Sequence, residues 1–230
     1  MKKYLILLLM GGLVTACKLD NYDPPASELS GRIVYKGEPI GVEYNNVTFE
    51  LWEPGWGKKG SINVNVDQDG SYATKLFNGD YKLIIPSYQG PFKSIPNAET
   101  KSDTIPVQLR GSRTMDIEVI PYYLIRNATF SGGEKKVSAQ FSIEKIITDA
   151  SAKNIEEVAL YISKTAFVDV RTNIASQVIK GADLKTLTGI QMQVTVPTIT
   201  PAQNFVFARV KLKVSGVEDP IFSAIQKVIY

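Results

Sequence analysis

The dominant pattern along the chain is an alternation of apolar and polar residues with a period of two. From Val137 to Glu144, for example, valine, alanine, phenylalanine and isoleucine alternate with serine, glutamine and glutamate. Successive side chains of a β-strand point to opposite faces, so this pattern predicts strands with one wet face. Alternating or strongly apolar runs predict strands at Gly31 to Tyr35, Val47 to Trp52, Ile62 to Val66, Tyr72 to Leu76, Tyr81 to Ile85, Ile105 to Leu109, Met115 to Val119, Tyr122 to Phe130, Val137 to Glu144, Glu157 to Ser163, Ile190 to Val196, Val206 to Val214 and Ile221 to Tyr230.

The turn residues between these runs are typical of an all-β protein. Asp67 to Gly70 and Asn78-Gly79 have the residues of tight turns, and they predict antiparallel hairpins. One helical turn is expected at Asp183 to Leu187, and no long helical pattern competes with the strands. Short strands joined by tight turns favour two tandem antiparallel β-sandwich domains.

The length and composition agree with two domains. The chain has 230 residues, of which 44% are hydrophobic, which is enough for two cores of about 100 residues each. The break is expected near Pro121, where one set of strands closes and another opens. The predicted sandwiches therefore occupy residues 29–120 and 121–230.

The first sixteen residues predict a processing signal. Lys2 and Lys3 precede an apolar core from Leu5 to Val14, about half of the roughly twenty residues that a spanning helix needs. The run from Val14 to Cys17 resembles the lipobox of bacterial lipoproteins, which implies a lipidated Cys17 as the new N-terminus. The alternative is an ordinary secretory signal with a chance cysteine, although a lone thiol is unfavourable in an oxidising compartment.

Residues 17–28 are polar and rich in proline, so we expect a tether between the lipid and the folded domains. Asp20 and Asp23 resemble the acidic signals that send Bacteroides-type lipoproteins to the outer face of the outer membrane. They are more widely spaced than in that signal, so the sequence leaves the inner and outer leaflets open.

Charge argues against nucleic acid as a partner. The chain has 26 basic and 23 acidic residues, and removal of Lys2 and Lys3 with the signal leaves 24 and 23. The basic residues are scattered and form no stripe of the kind that phosphate contacts need.

The predicted first domain resembles a known family through four motifs in order. These are Leu29 to Tyr35, Gly37 to Ile40, Val66 to Tyr72 and Asn78 to Leu83. Their order is similar to that of transthyretin-like, carboxypeptidase-regulatory-like sandwiches, with Tyr81 facing the core. The second domain resembles an immunoglobulin or fibronectin type III sandwich without the cysteine pair.

Lipobox, tether and the two domains together resemble Bacteroides-type surface lipoproteins encoded beside the SusC and SusD nutrient importers. That resemblance implies an outer-membrane setting, with SusC and SusD proteins as partners. It implies no particular reaction.

The missing residue types restrict the chemistry further. The chain has no histidine and one cysteine, so Ser-His-Asp and Cys-His catalysis and His/Cys zinc sites are excluded. No sequence pattern nominates the pair of acids that carboxylate-only glycoside hydrolysis needs. We therefore expect a protein that is not an enzyme and has no cofactor.

Asp67 and Asp69 invite a calcium interpretation because that ion prefers oxygen ligands on a tight loop. Asn78 stands where an EF-hand pattern would need its closing glutamate. We therefore interpret the two aspartates as turn residues.

Aromatic residues supply the candidate ligand-binding site. Trp52 shares a strand face with Thr48 and Glu50 and should point away from the core, and Trp56 follows in a glycine and proline loop. Exposed aromatic faces stack on sugars or extended peptides, and Tyr88 and Phe92 are expected to join them. The alternative is that both tryptophans cap the sandwich or pack against the second domain.

Thr104 lies in Asp103-Thr104-Ile105, which resembles the O-glycosylation acceptor of Bacteroides-type envelope proteins. The functional expectation is a non-catalytic lipoprotein that binds an oligosaccharide, or presents it to SusC and SusD. A structural spacer or protein-contact module and a peptide-binding subunit are the alternatives.

Overall fold

The computed structural model describes residues 23–55 and 60–230, which form eighteen β-strands and one short 3₁₀ helix. The predicted all-β fold of two tandem sandwiches is confirmed. The strands are β1 (Ser27–Tyr35), β2 (Glu38–Pro39), β3 (Thr48–Trp52), β4 (Ser61–Asn65), β5 (Ser71–Leu76), β6 (Gly79–Ile84), β7 (Phe92–Ser94), β8 (Ile105–Leu109), β9 (Arg113–Thr114), β10 (Ile117–Pro121), β11 (Tyr123–Gly133), β12 (Lys136–Lys145), β13 (Ile155–Ser163), β14 (Ala175–Lys180), β15 (Ile190–Thr195), β16 (Phe205–Val214), β17 (Ile221–Phe222) and β18 (Gln226–Ile229).

The first domain consists of β1 to β10 in two sheets. One sheet has the order β4-β3-β6-β8, and the other is built around β1, which pairs with β2, β5, β9 and β10. Strand β7 adds to β10 at the edge of that second sheet. All of these pairs are antiparallel except those of β1 with β9 and β10, which are parallel. The purely antiparallel arrangement that the turns predict is therefore incomplete around β1.

The second domain consists of β11 to β18. A three-stranded sheet, β11-β12-β15, faces a five-stranded sheet in which β14, β13 and β16 are consecutive and both β17 and β18 pair with β16. The single strand that the sequence predicts from Ile221 is thus split into two.

Two predicted hairpins are crossings between sheets. The residues from Asp67 to Gly70 do form a turn, with the Gly70 N–H donating to the Asp67 carbonyl (2.9 Å). However, β4 and β5 on either side belong to different sheets, and so do β5 and β6 on either side of Asn78-Gly79. Gly70 has a φ of +85°, which favours glycine, and a Cβ there would lie 2.5 Å from the Ile40 carbonyl oxygen.

Two further expectations are corrected. The helical turn lies at Gly181–Asp183 and not at Asp183 to Leu187. Strand β14 has no counterpart in the prediction, because this edge strand buries no side chain fully and has no clear alternation.

The core confirms the period-two pattern. In β12 every second residue, from Val137 to Ile143, is buried, and Tyr81 of β6 faces inward as expected. Most buried apolar side chains of both domains form one contiguous cluster, and Ala159, Tyr161, Val168 and Phe222 form a second, smaller one. No helix within the described part of the chain has the length and hydrophobicity needed to cross a bilayer.

Candidate functional site: an aromatic sheet face and a polar seam

Trp52 lies on the outer face of the first domain, as the alternation in β3 predicts. Phe49 and Leu51 are fully buried, whereas Thr48, Glu50 and Trp52 on the other face are partly exposed. Trp52 therefore lies outside the core of the first domain.

Glu50 fixes the orientation of the Trp52 ring. The indole Nε1–H donates to Glu50 Oε2 at 2.8 Å, so the ring extends along its own strand toward a side chain two residues earlier. Ser61 and Lys82 are the cross-strand neighbours of Trp52, and Asn63 is opposite Glu50. We call the outward side chains of these five residues the Trp52 face.

The Trp52 face combines a partly exposed aromatic ring with hydroxyl, amide, ammonium and carboxylate groups. A sugar ring offers an apolar C–H surface and a rim of hydroxyls, so it can stack on the indole while hydrogen bonding to the neighbours. Because the indole N–H is already bonded, the ring has a preferred position before any ligand arrives.

Tyr88 does not join Trp52. Its side chain is 62% exposed, but the next residue, Gln89, accepts a hydrogen bond from the Thr48 backbone N–H (2.8 Å). The Tyr88 loop thus lies at the Thr48 end of β3, about 13 Å along the strand from Trp52. The two aromatic rings are separate features.

The prediction that Phe92 belongs to the ligand-binding site is wrong. Its side chain is only 4% exposed and belongs to the core, where β7 pairs with β10. A buried ring has no free face for a ligand.

Two predicted residues fall outside the described residues, namely Cys17 and Trp56.

Thr104 lies just before β8 and is partly buried, and its backbone N–H donates to Ser102 Oγ (3.1 Å). Modification of Thr104 stays a prediction.

Asp69 acts as a turn residue. Its Oδ1 accepts hydrogen bonds from the Ser71 N–H (3.0 Å) and the Ser71 hydroxyl (2.6 Å). Burial raises the pKa of Asp69, but the bonds from Ser71 outweigh it, so the pKa is lowered. Among the described residues no cluster of three or more acidic or cysteine side chains is placed to hold a metal ion.

A buried polar cluster lies between the domains, and its centre is Arg209. This side chain is 1% exposed and donates to the carbonyls of Ser223 (2.8 Å), Val42 (3.1 Å) and Gln68. Its guanidinium carbon lies 4.3 Å from the centre of the Phe222 ring. Val42 and Gln68 belong to the first domain, so Arg209 ties the two domains together.

Arg209 remains a cation although none of the ion pairs among the described residues includes it. Burial lowers its pKa to about 9, while the more distant charges of Asp169, Asp69 and Glu43 act in the opposite direction. The charge is held mainly by backbone carbonyl dipoles.

Asp219 makes a second tie from the second domain to the first. It is 2% exposed, and its carboxylate accepts hydrogen bonds from the Asn46 side chain and the Gly90 N–H (2.7 Å). Burial raises the pKa of Asp219, although both hydrogen bonds lower it. We call the contacts of Arg209 and Asp219 with the first domain the seam.

The sequence gives no signal for the seam. Phe207, Arg209 and Lys211 alternate with buried apolar residues in β16, so the pattern predicts that they face water. The first domain covers part of this face. A cavity of about 610 Å³ opens beside the seam between residues of both domains, including Ile40, Arg126 and Ile225.

The comparisons with known proteins place the chain in a family. The model of the "Protein of unknown function (DUF3823) N-terminal domain" matches residues 27–120, and that of the "Domain of unknown function (DUF3823_C)" matches residues 123–227. The chain belongs to the DUF3823 family. No curated protein matches the sequence.

Solved structures of DUF3823 proteins share this fold. One from Bacteroides ovatus is 30% identical, with a TM-score of 0.76 over 88% of this chain and 98% of its own. One from Parabacteroides merdae is 28% identical, with a TM-score of 0.75 over 90% of this chain and all of its own. A protein from Bacteroides uniformis named a "putative carbohydrate binding protein" is 16% identical, with a TM-score of 0.68 over 90% of this chain and all of its own.

Proposed function

We propose that this DUF3823 protein is a lipoprotein of the outer membrane whose role is to bind an oligosaccharide without cleaving it. The observation that carries the proposal is the indole of Trp52, which Glu50 holds along an outer sheet face. The similarity to the Bacteroides uniformis protein named a "putative carbohydrate binding protein" supports the same class of ligand.

The setting of the proposal comes from the N-terminal residues and the family. Val14 to Cys17 supply the lipobox, and the structural relatives come from Bacteroides and Parabacteroides. We infer a lipid anchor at Cys17 on the cell surface, with a SusC and SusD importer receiving the glycan. The order of motifs in the first domain supports a transthyretin-like sandwich, and the strand count of the second supports an immunoglobulin-like one.

Affinity gels test glycan binding directly. The wild-type chain is run beside Trp52→Ala in gels that contain xyloglucan, mixed-linkage β-glucan, galactomannan or polygalacturonate. We expect at least one glycan to retard the wild type, and Trp52→Ala to lose most of that retardation because the stacking surface is gone. Tyr88→Ala is the matched control, since it removes an exposed aromatic ring from another part of the same domain.

Trp56→Ala, run in the same gels, tests whether the second predicted tryptophan also contributes to glycan binding. Equal migration of the wild type and Trp52→Ala on every glycan contradicts the proposed site. Mass spectrometry of the N-terminal peptide from native membranes tests the anchor, for which acyl chains on Cys17 are the expected result.

A spacer or contact module is the second candidate function, and the seam favours it. Arg209 and Asp219 hold the two domains together through buried polar contacts, as a rigid connector requires. In this case SusC and SusD proteins should co-purify with the chain in mild detergent, and Trp52→Ala should leave that co-purification unchanged.

A further inference from the structure

The second domain carries an outer sheet face made of amide and hydroxyl side chains. Thr129 and Ser131 of β11, Ser138 and Gln140 of β12, and Gln191 and Gln193 of β15 face outward, and the residues between them pack inward or toward the core. They form two rows across the sheet, Thr129-Gln140-Gln191 and Ser131-Ser138-Gln193. Together with Gln177 of β14 we call these residues the amide face.

Gln177 joins the amide face from the neighbouring sheet. Its Oε1 accepts a hydrogen bond from the Gln193 backbone N–H at 2.7 Å, and Gln193 Nε2 in turn donates to Ser138 Oγ at 3.0 Å. A cavity of about 580 Å³ lies over these side chains. The bonds fix part of the face and leave the amides of Gln140 and Gln191 exposed for other partners.

The amide face is uncharged, although 26 basic and 23 acidic residues are spread over the chain. Charged side chains lie at the ends of the same strands, such as Lys136 and Glu144 of β12. A sheet face that served solubility alone would be expected to mix charges into the centre. Glutamine and serine instead offer donors and acceptors together, which is also what the hydroxyl groups of a neutral sugar offer.

The same contacts disfavour an extended peptide as the ligand. A peptide added to an edge strand needs its free backbone N–H and C=O groups. On β15 the Gln177 side chain already occupies the N–H of Gln193. The geometry therefore favours a ligand that lies on the side chains and not along the strand edge.

We propose that the amide face binds a neutral oligosaccharide and is a second glycan site, separate from the Trp52 face. The inference rests on the proposed function for the class of ligand. Its location is independent, because the Trp52 face belongs to the first domain and the amide face to the second.

The test uses Gln191→Glu in the full chain, alone and combined with Trp52→Ala, in the affinity gels. The change keeps the size of the side chain but replaces its donor with a charge. We expect Gln191→Glu to weaken binding to at least one neutral glycan about fivefold, a loss typical of one hydrogen bond. Trp52→Ala should keep a residual retardation that the double variant loses.

Gln226→Glu is the matched control, because Gln226 is exposed on β18 and lies outside the amide face. Its affinity should stay within twofold of the wild type. Urea unfolding of each variant verifies that the fold is retained.

Three results would overturn the inference while glycan binding at the Trp52 face stands. The first is that Gln191→Glu and Gln226→Glu bind every neutral glycan equally well. The second is that Trp52→Ala alone abolishes all retardation. The third is that only polygalacturonate retards the wild type. Retardation of the wild type by gelatin that Gln191→Glu removes would reassign the face to polypeptide. A wild type retarded by no glycan overturns both the inference and the proposed function.

Discussion

The seam between the domains and the two outer faces use polar side chains in opposite ways. At the seam, Arg209 and Asp219 are buried charges whose hydrogen bonds are made within the chain. On the Trp52 face and the amide face, the polar groups are largely exposed and only partly bonded to one another. The buried charges of the seam thus hold the two domains together, whereas the exposed polar groups of the two outer faces that lack a partner within the chain remain free for a ligand.

Loss of Arg209 should give the largest effect. Arg209→Met keeps an apolar stem but removes the donor of three hydrogen bonds, to the carbonyls of Val42, Gln68 and Ser223. At about 1 kcal/mol for each carbonyl, the free energy of unfolding should fall by about 3 kcal/mol. Urea unfolding measures the loss, and Arg113→Met, at an exposed arginine, is the control. A change below about 1 kcal/mol would show that the seam is dispensable.

A larger side chain at the seam should destabilise the protein somewhat less than the loss of Arg209 does. A Cβ on Gly41 would lie 2.6 Å from the Phe222 carbonyl oxygen and 2.9 Å from Arg209 Nη2. Gly41→Ala should therefore lower the free energy of unfolding by about 1–3 kcal/mol through overpacking. Gly60→Ala is the control, because a Cβ at that position meets nothing within 4 Å. Equal urea midpoints for the two variants would contradict the close packing.

On the Trp52 face, the expected change is in binding and not in folding. Glu50→Ala removes the acceptor of the indole N–H and frees the ring, which should weaken glycan binding about threefold to tenfold, or about 1 kcal/mol. Glu50→Gln keeps an acceptor oxygen and should restore most of the affinity. Affinity gels measure the glycan affinity of each variant, and the midpoints of urea unfolding measure its stability. A Glu50→Ala variant that loses stability but not affinity would show that Glu50 stabilises the fold, as the seam residues do, and does not position the ring for a ligand.

The smallest expected effect is a pH dependence that originates at the seam. Burial raises the pKa of Asp219 above its ordinary value of 3.8, so the folded state holds this proton more tightly than the unfolded state. The resulting stability is present below that pH and is lost as the pH rises through the folded-state pKa. Asp219→Asn removes this titration.

The free energy of unfolding of the wild type minus that of Asp219→Asn should therefore be greatest near pH 3 to 4 and shrink toward pH 7. Urea unfolding across this range measures the difference. Burial also raises the pKa of Glu43, so the variant should keep part of the slope. A difference that grows with pH would mean that the ionised carboxylate stabilises the seam more than its burial costs.

The sequence predicts those parts of the fold that depend on local alternation. Trp52 points outward and Tyr81 inward, because each strand buries one face. The pairing of strands is not predictable in this way, since it depends on residues far apart in the chain. The turn at Gly70 is therefore recognisable, although the sheets that it connects are not.

The candidate site was predictable only in its central residue. Phe92 lies in a proline-bearing stretch with no alternation, and its burial depends on the pairing of β7 with β10. Arg209 follows the polar positions of its strand and is buried because another domain covers it. The amide face has the ordinary alternation of a wet strand face, so only the register of β11, β12 and β15 shows that its glutamines are neighbours.

The position of β1 has a mechanical consequence. A pull transmitted through the residues before Ser27 enters the folded part along this strand, which is matched to β5 by six pairs from Ser27 to Arg32. Because the load runs parallel to the strands, those pairs would have to slide together instead of opening one at a time. A protein built in this way should resist tension on its N-terminal side far better than tension that peels a strand from an edge.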